Sequence, residues 1–289
     1  MLFGGGYRRW RRACGSVGQC DCGLDVIAQI PVVLIPVRSA ANYLLIVQRW
    51  QGIAGDCRSS IKRHLQARRL HAMGMIRQLA EFPTAEPFLP ARITLPALNK
   101  AVAGCRGCPL YKNATQAVFG EGPQRATVMF IGEQPGDQED QQGKPFVGPA
   151  GRILDETLDE VGIDRREVYV TNAVKHFKFE PRGTRRIHSK PNAREMAACK
   201  PWLTAELAVV KPKMVVCLGA TAAQDLFGPR FRITKERGKI FEDTGIAPWV
   251  MATVHPSSIL RAPDHEAREK ARRDFAEDLA KAARQIEQK

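Results

Sequence analysis

The 289-residue chain lacks the features of several special classes of protein. Its 8 cysteines are too few for a disulfide-dense secreted scaffold, and a chain of this length builds a core without cross-links. Its longest apolar run, residues 26–37, contains two prolines and falls short of the roughly 20 residues that span a bilayer. No signal-peptide cleavage pattern follows that run. We expect a globular protein of a reducing compartment, the cytoplasm, with no membrane attachment.

Acidic residues are scarce relative to basic ones. The chain has 30 Asp and Glu against 44 Lys and Arg, a formal net charge of +14. This excess favours a polyanionic partner, with nucleic acid ahead of a membrane surface. Collagen-like, coiled-coil and wholly disordered classes are excluded, because 44% of the residues are apolar and 26% are charged.

Half of the positive excess, +7, lies in residues 1–90. The stretch Tyr7–Arg12 (YRRWRR) suits either a basic arm or a disordered tail, and residues 59–79 have the spacing of one amphipathic helix. We therefore predict a basic N-terminal extension over residues 1–87, poorly ordered or partly helical. A separate folded domain is predicted over residues 88–289.

Within that domain, short apolar runs alternate with amphipathic segments. The alternation predicts right-handed βαβ units and a three-layer α/β/α sandwich with a four-stranded parallel sheet. The active site of such a fold lies in the loops at the carboxyl ends of the strands. The predicted strands are 127–131, 168–171, 214–218 and 250–254, and the predicted helices are 150–161, 193–210, 220–227 and 265–286.

The loops after the first two predicted strands carry groups suited to binding a planar ligand. Glu133 and Asp137 follow the first strand, where carboxylates could hold a water or balance a positive charge, although solvated acidic turns look the same. Phe146, in a Gly- and Pro-rich loop, could stack on a base or belong to the core. Asn172 offers an amide that can read the edge of a pyrimidine, or can serve as a turn residue.

The loop after the last predicted strand begins with His255 and continues with Pro256 and Ser257. An imidazole directed into a pocket beside a phosphate-binding hydroxyl would suit this sequence. Four loops with functional-looking residues, three of them directly at strand ends, are unlikely to arise by chance.

The cysteines of the domain include one pair at metal-ligand spacing, Cys105 and Cys108. Cys199 is a third candidate ligand, for either zinc or an iron–sulfur cluster. Cys217 lies within a predicted buried strand and is better explained as a core residue, so His176 is the better fourth candidate. Residues 177–192 form a basic segment that contains His188, and composition alone predicts a solvated loop.

Taken together, these motifs resemble the uracil-DNA glycosylase superfamily, specifically its iron–sulfur group, family 4, and most closely the UdgX branch. The resemblance covers about residues 88–285 and agrees with the independent strand count. It depends on the ordered motifs CRGCPLY at Cys105, GEQPGDQED at Gly132, GKPFVGPAGR at Gly143, TNAVKHFKF at Thr171, RRIHSKP at Arg185, ACKPWL at Ala198, LGATAA at Leu218 and HPSSILR at His255. Gln134 and the RRIH segment separate the UdgX branch from ordinary family 4 members.

The resemblance implies a 4Fe-4S cluster that holds the loops around the DNA groove. Family 4 enzymes ligate it with four cysteines, and the third falls where this chain has His176. The implied ligands are therefore Cys105, Cys108, His176 and Cys199.

The resemblance also implies roles for the pocket residues. Phe146 stacks on uracil, Asn172 reads its edge, and His255 donates to a uracil oxygen as negative charge grows on the leaving base. Glu133 positions water or balances the sugar cation. The remaining substrate-binding residues are Gln134 and Asp137, which line the pocket, Ser257, and Arg186, which holds the loop against DNA.

In UdgX-like proteins the RRIH histidine attacks the anomeric carbon and remains bonded to the abasic sugar. The corresponding residue is His188, with Glu133 orienting and deprotonating it. The expected substrate is uracil in DNA, single-stranded by preference or flipped from a duplex, acted on by a monomer. Two alternatives stay open: a conventional glycosylase with turnover, and a non-catalytic iron–sulfur module that binds nucleic acid.

Overall fold

A computed structural model describes residues 84–287. The basic arm at Tyr7–Arg12, the apolar run at residues 26–37 and the helix predicted over residues 59–79 lie outside the described residues. Among the described residues, no helix is both long and apolar enough to cross a membrane.

The centre of the fold is a five-stranded sheet in the order β2-β1-β5-β7-β6. The strands β2, β1, β5 and β7 run parallel to one another, as predicted. The fifth strand, β6, was not predicted and pairs antiparallel with β7 at the edge of the sheet. A separate two-stranded sheet is formed by β3 and β4. The strands are β1 (Val128–Gly132), β2 (Val168–Asn172), β3 (Phe179–Arg182), β4 (Arg185–His188), β5 (Met214–Leu218), β6 (Ile240–Glu242) and β7 (Trp249–Thr253).

Helices cover both faces of the central sheet, which confirms the three-layer architecture. Phe130 belongs to a core with Leu154 and Phe275 on one face, and its neighbour Met129 packs with Leu203 on the other. The central strands are buried on both faces and are therefore apolar throughout. The helices are α1 (Leu95–Val102), α2 (Asp137–Gln142), α3 (Pro149–Glu160), α4 (Ala193–Val210), α5 (Ala220–Phe227), α6 (Ile233–Glu236), α7 (Pro256–Leu260) and α8 (His265–Glu287).

The carboxyl ends of β1, β2, β5 and β7 lie along the same side of the sheet, which is called the carboxyl edge below. Each is followed by a loop or a short helix, so Glu133, Asn172, Thr221 and His255 are collected at that edge. The fold thereby brings residues up to 122 positions apart in the chain to one place.

The basic segment at residues 177–192 is a β-hairpin rather than the solvated loop that its composition suggested. Phe179 pairs with His188, and the turn passes through Gly183, whose φ of +57° suits a residue without a Cβ. Because cross-strand partners share a face, Phe179, Arg186 and His188 point one way and Ile187 points the other. Composition missed the hairpin because its strands are largely exposed and polar.

Candidate active site

Gly132, the last residue of β1, forms the meeting point of two predicted pocket residues. A Cβ at this position would collide with Oδ1 of Asn172 and approach Cζ of Phe146 to 2.8 Å. Asn172 is 3% exposed and Phe146 is 6% exposed, so both side chains are held tightly against the sheet edge. The side-chain amide of Asn172 makes no hydrogen bond to another described residue and is available to a ligand.

The Phe146 ring is fixed by an unusual backbone. Phe146 has a φ of 57°, in the left-handed region that seldom accommodates a bulky residue. Glu139 holds the loop from both sides: its carboxylate accepts the N–H of Gly136 at 3.1 Å and the N–H of Gly148 at 2.7 Å. These hydrogen bonds hold the loop in its left-handed conformation and so orient the Phe146 ring. The ring stacks on His255 with the centroids 6.3 Å apart.

His255 is the N-cap of α7, and this placement determines which ring nitrogen carries the proton. Its Nδ1 accepts the backbone N–H of Ser257 at 3.1 Å and lies 2.8 Å from the Ser257 hydroxyl oxygen. Burial, together with the electrostatic effects of Arg261 and His188, lowers the pKa of His255 to about 4. The imidazole is therefore neutral at pH 7, with its proton on Nε2, and can donate one hydrogen bond.

Glu133 connects the sheet edge to the hairpin. One carboxylate oxygen accepts a short hydrogen bond from the hydroxyl of Thr221, and the other lies 3.4 Å from Nε2 of His188. Half of the His188 side chain is exposed, against 19% for Glu133. The structure thus brings the predicted nucleophile and its predicted base together, with the imidazole open to an incoming ligand.

Gln134 fastens the base of the hairpin instead of pointing into an open pocket. Its side-chain N–H groups donate to the carbonyl oxygens of Lys178 and Ser189, each at 3.1 Å, and its oxygen accepts the N–H of Lys178 at 3.0 Å. Both strands of the hairpin are therefore anchored by one amide, next to His188.

Arg186 ties the same hairpin to α2 through two carboxylates. Its guanidinium lies 2.5 Å from Asp137 and 2.5 Å from Asp140, which is fully buried. It also lies over the rings of Phe177 and Phe179, at 5.5 and 5.1 Å. Arg186 and Asp137, both predicted to bind substrate, are thus paired with each other.

The four predicted cluster ligands are all buried, at 3–5% exposure for Cys105, Cys108, His176 and Cys199. No group of three or more His, Cys, Asp or Glu side chains that could hold a metal ion occurs within residues 84–287. An iron–sulfur cluster makes a different demand, since its ligands surround a cage rather than converge on one ion.

The donor chemistry of these residues fits such a cage. The indole N–H of Trp202 donates to Sγ of Cys105 at 3.2 Å, and the backbone N–H of Lys175 donates to Sγ of Cys199 at the same distance. Nδ1 of His176 is buried with no hydrogen-bond partner. Burial raises the pKa of the Cys199 thiol to about 12, so a bound metal would have to displace its proton.

Several residues that build the site had no assigned role in the sequence. Thr221 holds Glu133, Gly132 leaves room for Phe146 and Asn172, and Glu139 fixes the Phe146 loop. All three lie inside motifs that carry the family resemblance. The sequence alone did not show which contacts these three residues make.

Comparisons with known proteins agree with this architecture. The family model described as "Uracil DNA glycosylase superfamily" matches residues 119–280. The chain is 40% identical over 186 residues to a type-4 uracil-DNA glycosylase of Thermotoga maritima, covering 64% of this chain and 91% of the relative.

Two further type-4 uracil-DNA glycosylases are each 36% identical to this chain. One is from Pyrobaculum aerophilum, matched over 192 residues, 64% of this chain and 91% of the relative. The other is from Archaeoglobus fulgidus, matched over 191 residues, 63% of this chain and 90% of the relative. The sheet order, the pocket at its carboxyl edge and these matches together show that the chain belongs to the uracil-DNA glycosylase superfamily.

Proposed function

We propose that this protein is a uracil-DNA glycosylase that excises uracil and then remains covalently bonded to the abasic sugar through His188. The observation that carries the proposal is the 3.4 Å approach of His188 Nε2 to the Glu133 carboxylate, at the edge of the sheet that also presents Phe146, Asn172 and His255. The relatives named above are all type-4 uracil-DNA glycosylases, which supports the substrate.

The base pocket formed by Phe146, Asn172 and His255 has the groups that a flipped uracil needs. The Phe146 ring offers a stacking surface, and the Asn172 amide offers both a donor and an acceptor to the edge of the base. The Nε2 proton of neutral His255 can donate to a carbonyl oxygen of uracil. Because negative charge grows on that oxygen as the base departs, this hydrogen bond strengthens in the transition state.

His188 requires a lone pair on Nε2 to act as the nucleophile. Glu133 takes the Nε2 proton of the charged imidazolium and leaves the neutral Nδ1–H tautomer. The glycosidic C–N bond breaks and its electron pair leaves with uracil, and the Nε2 lone pair then forms the bond to C1′ of the resulting sugar cation. The alkylated imidazolium loses its Nδ1 proton to water, so the adduct is neutral.

The iron–sulfur cluster would be held by Cys105, Cys108, His176 and Cys199. It would supply a structural centre that cross-links three separate segments of the chain. The Trp202 and Lys175 hydrogen bonds to sulfur stabilise the thiolate forms that cluster binding requires. Glycosidic cleavage needs no electron from it.

Uracil-containing DNA, preferably single-stranded, is the proposed partner of a monomeric protein. Lys144 and Arg152 are exposed and, with Phe146, line an open cavity beside the base pocket, where phosphates of a bound strand would be neutralised. The exposed Arg182 and Arg185 near the hairpin turn add positive charge on the opposite face of the hairpin, the face that carries Ile187.

A denaturing gel tests the proposal. The protein is incubated with an end-labelled single-stranded oligonucleotide that contains one deoxyuridine, and a band of the combined mass is expected to survive heat and detergent. His188→Ala should remove that band while uracil release, detected as an alkali-labile site, continues because water can enter the vacated space.

His265→Ala is the matched control, because it removes another exposed imidazole, at the start of α8, and should retain the band. A band that persists in His188→Ala would contradict the assignment of the nucleophile. Multiple turnovers without any band would establish the conventional glycosylase, and DNA binding without uracil release would establish the non-catalytic module.

A further inference from the structure

Lys175 and Glu206 form an ion pair in the interior that the proposed chemistry does not use. Nζ of Lys175 lies 2.5 Å from Oε2 of Glu206, and both side chains have no exposure to water. Taking two charges out of water carries a large desolvation penalty, which is offset only when hydrogen bonds satisfy the remaining donors and acceptors.

All three Nζ protons of Lys175 have acceptors. Besides Glu206, they reach Oγ1 of Thr171 at 2.6 Å and the backbone carbonyl of Asn172 at 2.8 Å. The last two residues of strand β2 are therefore fastened to one ammonium group. Of these acceptors, the Asn172 carbonyl belongs to the residue whose amide faces the base pocket.

Glu206 is held as completely as its partner. Its Oε1 accepts the Tyr169 hydroxyl and the Thr171 hydroxyl, each at 2.9 Å, and the N–H of Gly120 at 3.2 Å. A Cβ at Gly120 would collide with the same carboxylate oxygen, so the chain passes close against it. The carboxylate is thus an anchor on α4 that fixes the position of the Lys175 ammonium.

The backbone after Asn172 is also bound to the first loop of the site. The N–H of Ala173 donates to the carbonyl of Gly132 at 2.9 Å, and the N–H of Val174 donates to that of Glu133 at 3.0 Å. The Lys175–Glu206 pair therefore holds a turn in which Asn172 and Glu133 are neighbours. A shift at Lys175 would move the Asn172 backbone, to which its ammonium group is bonded.

We propose that Lys175 and Glu206 are positioning residues that set the orientation of the Asn172 amide toward uracil. This inference rests on the proposed function, because it presumes that Asn172 reads the base. Neither side chain reaches the base pocket, so the pair acts only through the end of strand β2.

A double-mutant cycle distinguishes positioning from simple stabilisation. The rate of uracil release is measured under single-turnover conditions for Lys175→Met, Asn172→Ala and the double variant, using holoprotein whose iron content matches the wild type. We expect Lys175→Met to lower the rate about 10- to 100-fold, because displacements near 1 Å cost about that much. In the Asn172→Ala background the same change should lower the rate less than threefold.

The matched control is Asp278→Asn, which alters a buried carboxylate that pairs with Arg237 and accepts the Thr253 hydroxyl. Asp278 projects from α8 on the opposite face of the sheet, so its effect should multiply with that of Asn172→Ala.

Thr171→Val replaces Lys175→Met if that variant does not fold, since it removes one shared hydroxyl and retains both charges. It should show the same dependence on Asn172 with a smaller effect.

If the wild type releases uracil and the rate losses of Lys175→Met and Asn172→Ala multiply fully in the double variant, the positioning role is overturned. The proposed function is then left intact. Absence of uracil release from the wild type would instead overturn the proposed function. Loss of rate that disappears in the Asn172→Ala background supports the positioning role.

Discussion

Phe146 and Asn172 are 6% and 3% exposed, whereas half of the His188 side chain is open to water. The base pocket is built on strand ends and backbone contacts in the interior of the fold. The β3–β4 hairpin lies outside that interior and is held by polar contacts from Gln134 and Arg186. In the proposed function this contrast separates two steps: the pocket would serve uracil release, and the hairpin would serve attachment to the sugar.

The largest effect that this division predicts is at His255. His255→Ala removes the Nε2 donor that is proposed to face the departing base, and loss of one such donor lowers the rate about 10²–10³-fold. Uracil release and adduct formation should fall together in single-turnover assays, because attachment follows departure of the base. Loss of the adduct alone, with normal release, would break the proposed division, and His265→Ala should change neither.

A smaller loss of release is expected for Gly132→Ala. The new methyl group would displace the Asn172 amide and the Phe146 ring, and a misplacement near 1 Å lowers the rate about 10²-fold. Gly104→Ala is the matched control, since a Cβ there meets only the Ala101 carbonyl at 3.7 Å. A Gly132→Ala variant with wild-type kinetics would show that uracil binds elsewhere.

The smallest effect is expected for Gln134→Ala. This variant gives the most direct test of whether the hairpin affects adduct formation without affecting uracil release. This change removes three hydrogen bonds from the base of the hairpin, so His188 should occupy its attacking position less often. We expect adduct formation to slow about 10-fold, the loss of roughly 1.4 kcal/mol, while uracil release changes less than threefold. Equal slowing of both steps would contradict a role confined to the hairpin. Gln142→Ala, at the exposed end of α2, is the control.

The two regions also differ in how far the sequence could predict them. Strands β1, β5 and β7 agreed with their predicted ranges to within a residue, because strands buried on both faces are apolar throughout. The hairpin strands are exposed and polar, so neither an apolar run nor an alternating pattern marks them. The edge strand β6 has three residues, two of them partly buried and the third exposed, and is too short to show a pattern in the sequence.

Individual side-chain contacts could be predicted only between residues whose roles the family resemblance implies. His188 and Glu133 were paired on the resemblance, and the geometry brings them together. Lys175 and Glu206 could not have been identified, because charged residues are expected at the surface and their partnership spans 31 positions. The inward pairing of Arg186 was hidden for the same reason, since a basic cluster alone suggests contact with phosphates.

The path of the chain through the hairpin makes that segment separable from the rest of the domain. The N–H of Ser189 donates to the carbonyl of Lys178 at 3.0 Å, so the chain leaves and re-enters the domain at one point. A short link across that point would close the fold without disturbing a strand of the central sheet. The hairpin is therefore an insertion held by side-chain contacts. These contacts come from the Gln134 amide and the Asp137 and Asp140 carboxylates, together with Thr115 and Glu133. A related scaffold would need the same set of side chains to receive this hairpin.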